Sequence, residues 1–377
     1  MILALMSFTF SCIKPYDPDI REENVNKLVV SGRITNLEGW HEVSVSIASP
    51  VQEAAFIPVS GCEVTVADNL GNHFEFDEMT AGSYQAWIGQ EYLVPGTAYM
   101  VSVMTPEGEL VESAYDTLLA GAPMDSVYYA IEDIATGDPN VFLKIMQFYI
   151  DLNGAPTDSR NYKWEIKETW EYHSAHPLEF YYNGKFHEVR PPDYSRMICW
   201  TNTMVKEIFL LSTANSSLNV FQKNPLHFID GHTSRLSILY SILVSQQSLS
   251  GSTYNYFEVI KENSAGFGGL YEQQPFSIKG NLVNLTNPEQ VVLGYFYACS
   301  ESSRRYFYHD IEGIDLDFWD QCNEDPLPIS GWQGFMKSQY PVYYYYNQSG
   351  ALRILSDDCV DCRVRGGTTT KPDFWPI

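Results

Sequence analysis

The sequence is poor in positive charge. Lys and Arg together number 23 against 47 Asp and Glu in 377 residues, so the formal net charge is −24. Binding to nucleic acid is excluded, because phosphates require clustered Lys and Arg. Attraction to an anionic membrane surface through basic residues is excluded for the same reason. We therefore expect a strongly acidic, well-solvated surface.

The sequence also lacks an apolar run long enough to cross a membrane, which takes about 18 residues or more. Its apolar start, MILALMSFTFSC at residues 1–12, has the length of a secretory hydrophobic region. A small residue precedes Cys12, and this pattern resembles a bacterial lipoprotein signal, which is cleaved and lipidated at its cysteine. Residues 13–26, IKPYDPDIREENVN, are rich in proline and acid, which predicts a flexible tether. We therefore expect a lipid anchor at Cys12, because each buried methylene of an acyl chain contributes about 0.8 kcal/mol.

Residues 27–120 alternate between apolar and polar side chains, the period of β-strands. The segment HEVSVSIAS places Val43, Val45 and Ile47 on one face, and CEVTVADNLGNHFEF is typical of a hairpin that turns at residues 68–72. The pattern predicts an Ig-like or transthyretin-like β-sandwich of about seven strands. Cys62 falls within a predicted strand, where we expect a buried free thiol.

A loop, LLAGAPMDS, marks a predicted domain boundary, beyond which strands again dominate. We predict a larger β-rich domain at residues 125–377, with one or a few helices. The credible helix is SGSTYNYFEVIKENSAG, with Ser252 as its N-cap and Gly266 just after its last turn. The predicted fold class is therefore mainly β.

Several segments of the second domain resemble a known family. They are YSILVSQQSLS, GGLYEQQPFSIKGNLVNLTNPEQVVLGYFYACS and DCVDCRVRGGTTTKPDFW. The lipoprotein cysteine, then LVVSGRIT, and then these three segments occur in the order typical of the family. Together they resemble domain-of-unknown-function family 4249 over essentially the whole mature chain. Members of that family are Bacteroidota lipoproteins without an established activity. The resemblance implies a lipid-anchored outer-membrane protein that acts as an accessory partner of a TonB-dependent transporter. Acidic residues soon after Cys12 are similar to the surface-export signal of Bacteroidota lipoproteins, so we expect the protein to face the cell surface.

The pair Cys359 and Cys362 is typical of a redox centre, half of a zinc site, or a disulfide. A structural zinc site normally offers a second pair of ligands. A thioredoxin-like pair lies at a helix N-terminus, which the Gly pair after RVR disfavours. A disulfide from Cys322 to Cys359 or Cys362 is favoured, closing a loop of roughly 40 residues and contributing on the order of 3–4 kcal/mol. We also expect Phe374 and Trp375 to be buried and to anchor the tail.

Tyrosines form the candidate binding surface. In a strand, successive side chains face opposite sides, so half of YYYY faces the core and half faces outward. Outward rings stack on sugars or clamp a peptide, and the alternative is ordinary strand packing. The candidate ligand-stacking aromatics are Tyr181, Tyr182, Tyr343, Tyr344, Tyr345 and Tyr346.

Two short motifs, DTL and DSV, resemble the Bacteroidota O-glycosylation motif and predict acceptors at Thr117 and Ser126 in an accessible loop. His173 and His176 are three residues apart, a spacing that faces opposite ways in a strand, so we predict a surface loop rather than a metal site. We predict no metal and no cofactor.

No catalytic residue can be assigned, because no P-loop, GxSxG or HExxH motif occurs. The leading interpretation is a non-enzymatic outer-membrane lipoprotein that assists a TonB-dependent transporter and captures its ligand. The alternatives are a surface hydrolase acting on glycans or peptides, for which the many carboxylates would supply a catalytic pair, and an adhesin or envelope scaffold.

Overall fold

The computed structural model describes residues 27–49, 55–138, 140–265, 278–314, 316 and 322–376. Cys12, the predicted tether and Gly266 lie outside the described residues. Strands predominate, and the one α-helix among the described residues is α1 (Gly251–Ala265). No described helix is long and apolar enough to span a membrane. The prediction of a mainly β fold with few helices is confirmed.

The first sandwich forms from the alternating segments near the start of the described chain. Its strands are β1 (Leu28–Thr35), β2 (Gly39–Ile47), β3 (Ile57–Pro58), β4 (Glu63–Asp68), β5 (His73–Thr80), β6 (Ser83–Ile88), β7 (Ala98–Met104), β8 (Leu110–Ser113) and β9 (Asp116–Thr117). The predicted hairpin is β4–β5, in which Val64 lies opposite Phe76 and Val66 opposite Phe74. The layer that contains β4 and β7 packs on the layer of β1, β2 and β6. The core between the two layers includes Val30, Val43, Val66 and Val101.

The remaining strands are β10 (Met124–Ala135), β11 (Phe142–Asn153), β12 (Asn161–His173), β13 (Leu178–Tyr182), β14 (Phe186–Asp193), β15 (Ile198–Met204), β16 (Phe209–Ser212), β17 (Val220–Asp230), β18 (Tyr240–Leu249), β19 (Leu282–Asn284), β20 (Phe296–Tyr308), β21 (Glu324–Pro326), β22 (Val342–Tyr346) and β23 (Leu352–Leu355). A three-stranded sheet, β10-β11-β17, packs on β12 and β18 through a second core. A third sheet has the order β14-β13-β22-β23-β21. These sheets make up the larger β-rich part of the chain.

Strand β20 belongs to both sandwiches. It pairs parallel with β1, with Gly32 opposite Phe296, and antiparallel with β18. A single sheet therefore runs in the order β15-β12-β18-β20-β1-β2-β6-β5-β4-β7-β8-β19. Side chains alternate along a strand, so the even-numbered residues of β20 share one face. On that face Phe296 lies in the first core, and Tyr306 and Tyr308 pack against the second core.

The first sandwich is completed by residues that lie far along the chain. Strand β19 pairs with β8, and Leu282, Val292 and Phe296 are buried in the first core. The predicted division near residues 120–125 assigned these residues to the second domain. Hydrophobic period identifies strands but not the sheet that each one joins, and this explains the difference.

The helix packs on the face of this sheet opposite the two cores. Tyr256 and Phe257 contact Tyr295 and Tyr297. The helix begins at Gly251, and the hydroxyl of Ser250 accepts the amide N–H of Thr253 at 3.2 Å. Ser250, rather than the predicted Ser252, is therefore the N-cap.

Two disulfides fasten the C-terminal part of the chain. Cys322 bonds to Cys359, across 37 residues, and Cys362 bonds to Cys199 of β15, across 163 residues. The first is one of the two pairings favoured from the sequence, whereas Cys199 was not among the predicted partners. In the chain-entropy account each bond contributes on the order of 3–5 kcal/mol by restricting the unfolded chain.

The tail ends on the same sheet face as the helix. Trp375 is 4% exposed, its ring lies 5.7 Å from that of Phe307, and its Nε1 donates to Glu171 at 2.8 Å. Phe374 is 41% exposed, and the guanidinium carbon of Arg305 lies 3.6 Å from the centre of its ring. The predicted anchor is thus Trp375, and the expectation that Phe374 is buried was wrong.

We expect Trp375→Ala to lower the free energy of unfolding by about 3 kcal/mol, because it opens a cavity and leaves Glu171 without its indole donor. The neighbouring Phe374→Ala is the matched control and should cost less than about 1 kcal/mol, since a surface cation–π contact is weak. Urea unfolding measures both values. Equal effects of the two substitutions would contradict this account of the tail.

Candidate functional site

An exposed cluster of aromatic rings covers one face of the third sheet. We define the aromatic patch as Phe180, Tyr182, Phe186, Trp332, Tyr344 and Tyr346. Trp332 lies at its centre, with ring centroids 5.0 Å from those of Tyr182, Phe186 and Tyr344. Phe186 and Tyr346 are 60% and 53% exposed. The patch therefore presents apolar rings to solvent from three neighbouring strands and one short 3₁₀ turn (Gly331–Gly334).

The tyrosines of the third sheet divide between its two faces, as strand alternation requires. Tyr182, Tyr344 and Tyr346 belong to the aromatic patch, and Tyr344 is buried beneath its neighbours. The other three pack on the small core that contains the Cys322–Cys359 disulfide; they are Tyr181, Tyr343 and Tyr345. These three contact the protein's own side chains, and a role in stacking on a ligand stays a prediction for all six tyrosines.

A second feature is a groove of about 710 Å³ between the β1–β2 hairpin and α1. Such a volume is typical of small-ligand sites. Arg33, Trp40 and Glu42 lie along the hairpin side, and Tyr256 and Phe257 line the helix side. His41 also borders the groove, but alternation places its ring with Val43 on the core side of β2. The groove thus combines a polar sheet face with an aromatic wall.

Paired charges lie beneath the groove. Arg33 Nη1 is 3.2 Å from both carboxylate oxygens of Glu165, and its Nη2 is 3.4 Å from Glu301. Lys163 Nζ lies 2.6 Å from Glu165 and 4.2 Å from the centre of the Phe257 ring. Burial alone would raise the pKa of Glu165, but Lys163 and Arg33 outweigh burial and lower it. Glu165 is therefore held ionised.

A fully buried carboxylate, Glu168 of β12, lies in the second sandwich. Its oxygens accept from Arg235 at 3.0 Å and from the hydroxyl of Tyr240 at 2.9 Å, and His227 Nε2 is 3.2 Å away. Burial alone would raise the pKa of Glu168, but His227, Arg235 and Tyr240 outweigh burial and lower it. This carboxylate is 2% exposed, and its partners join β12, β17 and β18 in the interior of the second sandwich.

The described cysteines are either disulfide-bonded or buried as free thiols. Cys359 and Cys362 lie in short 3₁₀ turns and are both disulfide-bonded, so neither offers a thiolate to zinc or to redox exchange in this form. Cys62 is a buried free thiol, as predicted. Cys299 is also free, and burial raises the pKa of its thiol to about 12. A thiol this weakly acidic is a poor nucleophile near neutral pH.

The histidine pair does not converge. His173 Nε2 lies 2.8 Å from Glu171, and His176 Nε2 lies 3.0 Å from Glu324. Cys322 is close to His176 and Glu324, but its sulfur is already bonded to Cys359. This cluster therefore offers two ligand groups rather than three.

The predicted glycosylation acceptors lie in strands rather than in an accessible loop. Thr117 is half-buried in β9, and the neighbouring Asp116 accepts from Thr253 at 2.8 Å and from the amide of Ala298 at 3.0 Å. Ser126 of β10 donates to Asp151 at 3.3 Å. The modification itself stays a prediction.

Three tryptophans of these surfaces were missed from the sequence. Trp332 lies in the short 3₁₀ turn at Gly331–Gly334, where no periodic pattern of the sequence distinguishes it. Trp40 and Trp87 lie in strands that read as ordinary sandwich strands, but they fall on the polar side of the alternation. A tryptophan at a polar position of an alternating strand is the signal that would have found both.

We expect Glu168→Gln to lower the free energy of unfolding by about 3 kcal/mol at pH 7, since it removes the charge that balances Arg235. A carboxylate whose folded pKa lies below its unfolded value of 4.5 stabilises the fold above that pH and loses this contribution as the pH falls through the folded pKa. The difference from wild type should therefore shrink as the pH falls below 4.5. Urea unfolding from pH 7 to pH 3 measures it, with the exposed Glu63→Gln as control; a difference that stays constant with pH would refute the assignment.

The comparison with protein families identifies the family of the chain. The family model described as a domain of unknown function, DUF4249, matches residues 13–305. None of the curated proteins matches the chain. The family match spans more than half of the 377 residues and confirms the family identified from the sequence. The segment DCVDCRVRGGTTTKPDFW, at residues 358–375, lies beyond the matched residues. The chain therefore belongs to the DUF4249 family.

Proposed function

We propose that this protein is a non-enzymatic accessory lipoprotein of the outer membrane. It is anchored through a lipid on Cys12, faces the cell surface of a member of the Bacteroidota, and docks on a TonB-dependent transporter whose ligand it helps to capture. The lipoprotein signal and acidic tether of the sequence support the location. The aromatic patch carries the docking half of the proposal.

The patch has the composition of an interface rather than of an ordinary surface. Aromatic residues are enriched at the centres of protein interfaces, and contiguous exposed apolar patches on soluble proteins mark interaction sites. Phe186 and Tyr346 of the patch are exposed, and so are Ile329 and Met336, which lie three and four residues from Trp332 along the chain. Charged groups lie beside them, with Glu188 and Arg190 of β14 paired to each other. An apolar centre with a charged border suits a protein partner.

The carboxylates beneath the groove and in the second sandwich favour binding over catalysis. A glycosidase needs two carboxyl groups at the scissile bond, one of them protonated. Glu165 is held ionised by Lys163 and Arg33, Glu301 is paired with Arg33, and Glu168 is buried with its partners. The pKa values of Glu165 and Glu168 are lowered, so neither supplies a protonated acid at neutral pH.

Capture from native membranes tests the proposal. After extraction in mild detergent, an antibody to the wild-type protein should recover a TonB-dependent transporter, and the N-terminal peptide should carry acyl chains on Cys12. Phe186→Asp places a charge in the apolar patch and should reduce transporter recovery at least about tenfold, as expected for an interface hot spot. Leu70→Asp is the matched control, because Leu70 is 72% exposed in the β4–β5 turn outside the patch.

Phe186 and Tyr346 are both largely exposed, so Tyr346→Asp provides a second variant with little effect on folding. Thermal unfolding checks that each variant is folded. Recovery of the free monomer alone, an unmodified Cys12, or full transporter recovery by both folded patch variants would each contradict the proposal.

A further inference from the structure

The outer face of the first sandwich exposes two tryptophans side by side. Trp40 of β2 lies directly opposite Trp87 of β6, and the ring centroids are 5.8 Å apart at an interplanar angle of 83°. The side chains are 60% and 55% exposed. More than half of each side chain is therefore open to solvent. A large aromatic surface exposed to water is unfavourable for a folded domain, because burial of the same rings would stabilise it. Such exposed apolar surface therefore indicates a binding site.

Polar side chains continue this face along the same two strands. Glu42 lies opposite Gln85, and Ser44 lies opposite Ser83. Glu42 accepts from the Ser83 hydroxyl at 2.9 Å and from the Gln85 amide at 3.4 Å. Trp40, Glu42 and Ser44 line the groove beside α1. An aromatic ring is thus followed by carboxylate, amide and hydroxyl groups on one sheet face.

The charge of the groove disfavours an anionic ligand. Among its lining residues Arg33 is the one cation, and it is already paired with Glu165 and Glu301. Glu38 and Glu42 add further negative charge to the lining. A phosphate, sulfate or uronate group would meet net repulsion, in a protein whose formal net charge is −24. A neutral ligand rich in hydroxyl groups meets no such penalty.

The backbone beneath the groove disfavours an extended peptide. Strand β1 lies between β20 and β2, and β2 lies between β1 and β6. Peptides that bind to a sheet gain much of their affinity from ladder hydrogen bonds at a free strand edge. Since both strands have a neighbour on each side, this face offers side chains rather than backbone edges.

We propose that the groove binds a neutral oligosaccharide. The apolar C–H face of one pyranose stacks on the indole of Trp40, while Glu42, Ser44 and Thr35 bind its hydroxyl groups. Ring stacking suits sugars because each pyranose presents an apolar face and a polar perimeter, matching the amphipathic surface of Trp and its polar neighbours. This inference names the ligand class for the capture half of the proposed function and does not depend on the aromatic patch.

The experiment uses the folded chain, lacking only its lipid anchor, on an array of neutral and anionic glycans. Binding should be confined to neutral glycans, and the strongest of these is then titrated calorimetrically. Trp40→Ala should weaken that binding roughly tenfold, and Trp40→Phe should restore most of it. Phe142→Ala is the control, since Phe142 of β11 is 61% exposed and does not line the groove. Trp40 is itself mostly exposed, and unchanged thermal unfolding verifies the fold of each variant.

Three results would overturn the inference: no neutral glycan bound by the folded protein, binding confined to anionic glycans, or wild-type affinity in Trp40→Ala. The same variants separate it from the proposed function. Trp40→Ala should still recover the transporter from membranes, and Phe186→Asp should still bind the glycan. Loss of the transporter in Trp40→Ala would show that the groove is a partner interface and would also overturn the glycan assignment.

Discussion

The architecture depends on one long strand that two sandwiches share. β20 is 13 residues long and exchanges hydrogen bonds with β1 on one side and β18 on the other. Its even-numbered residues enter the first core near Phe296 and the second core near Tyr306. A strand has only two faces, so its odd-numbered residues must all lie on the reverse side. That geometry unites the cores and creates a third surface behind them.

The reverse face explains where the other elements lie. The aromatic side of α1 packs on Tyr297 and Cys299. The ring of Trp375, in the tail, contacts the ring of Phe307. Between them, Glu301 and Arg33 belong to the charge network beneath the groove. The groove therefore occurs where the helix stops covering a polar sheet face. The third sheet, held by the Cys322–Cys359 disulfide, carries its aromatic patch as a separate surface.

The sequence predicted what local patterns determine. The β4–β5 hairpin, the burial of Val43 and Val45, the free thiol of Cys62 and the existence of α1 all follow from period or local composition. It did not predict the pairing of Gly32 with Phe296 or of Cys199 with Cys362, because chain separation of this size leaves no local trace. For the candidate sites, alternation correctly divided the tyrosines between two faces. It could not say which face meets solvent, and it missed Trp332 in its short 3₁₀ turn.

The central claim is that the two sandwiches form one cooperative unit through β20. Native-state hydrogen exchange tests it, because local and global openings are distinguished by their free energies. The account predicts that the most protected amides of β2 and β11, one strand from each sandwich, exchange with the same free energy of opening and the same denaturant dependence. If β11 stayed protected while β2 exchanged through a separate, lower-energy opening, the sandwiches would be independent domains and the claim would be contradicted.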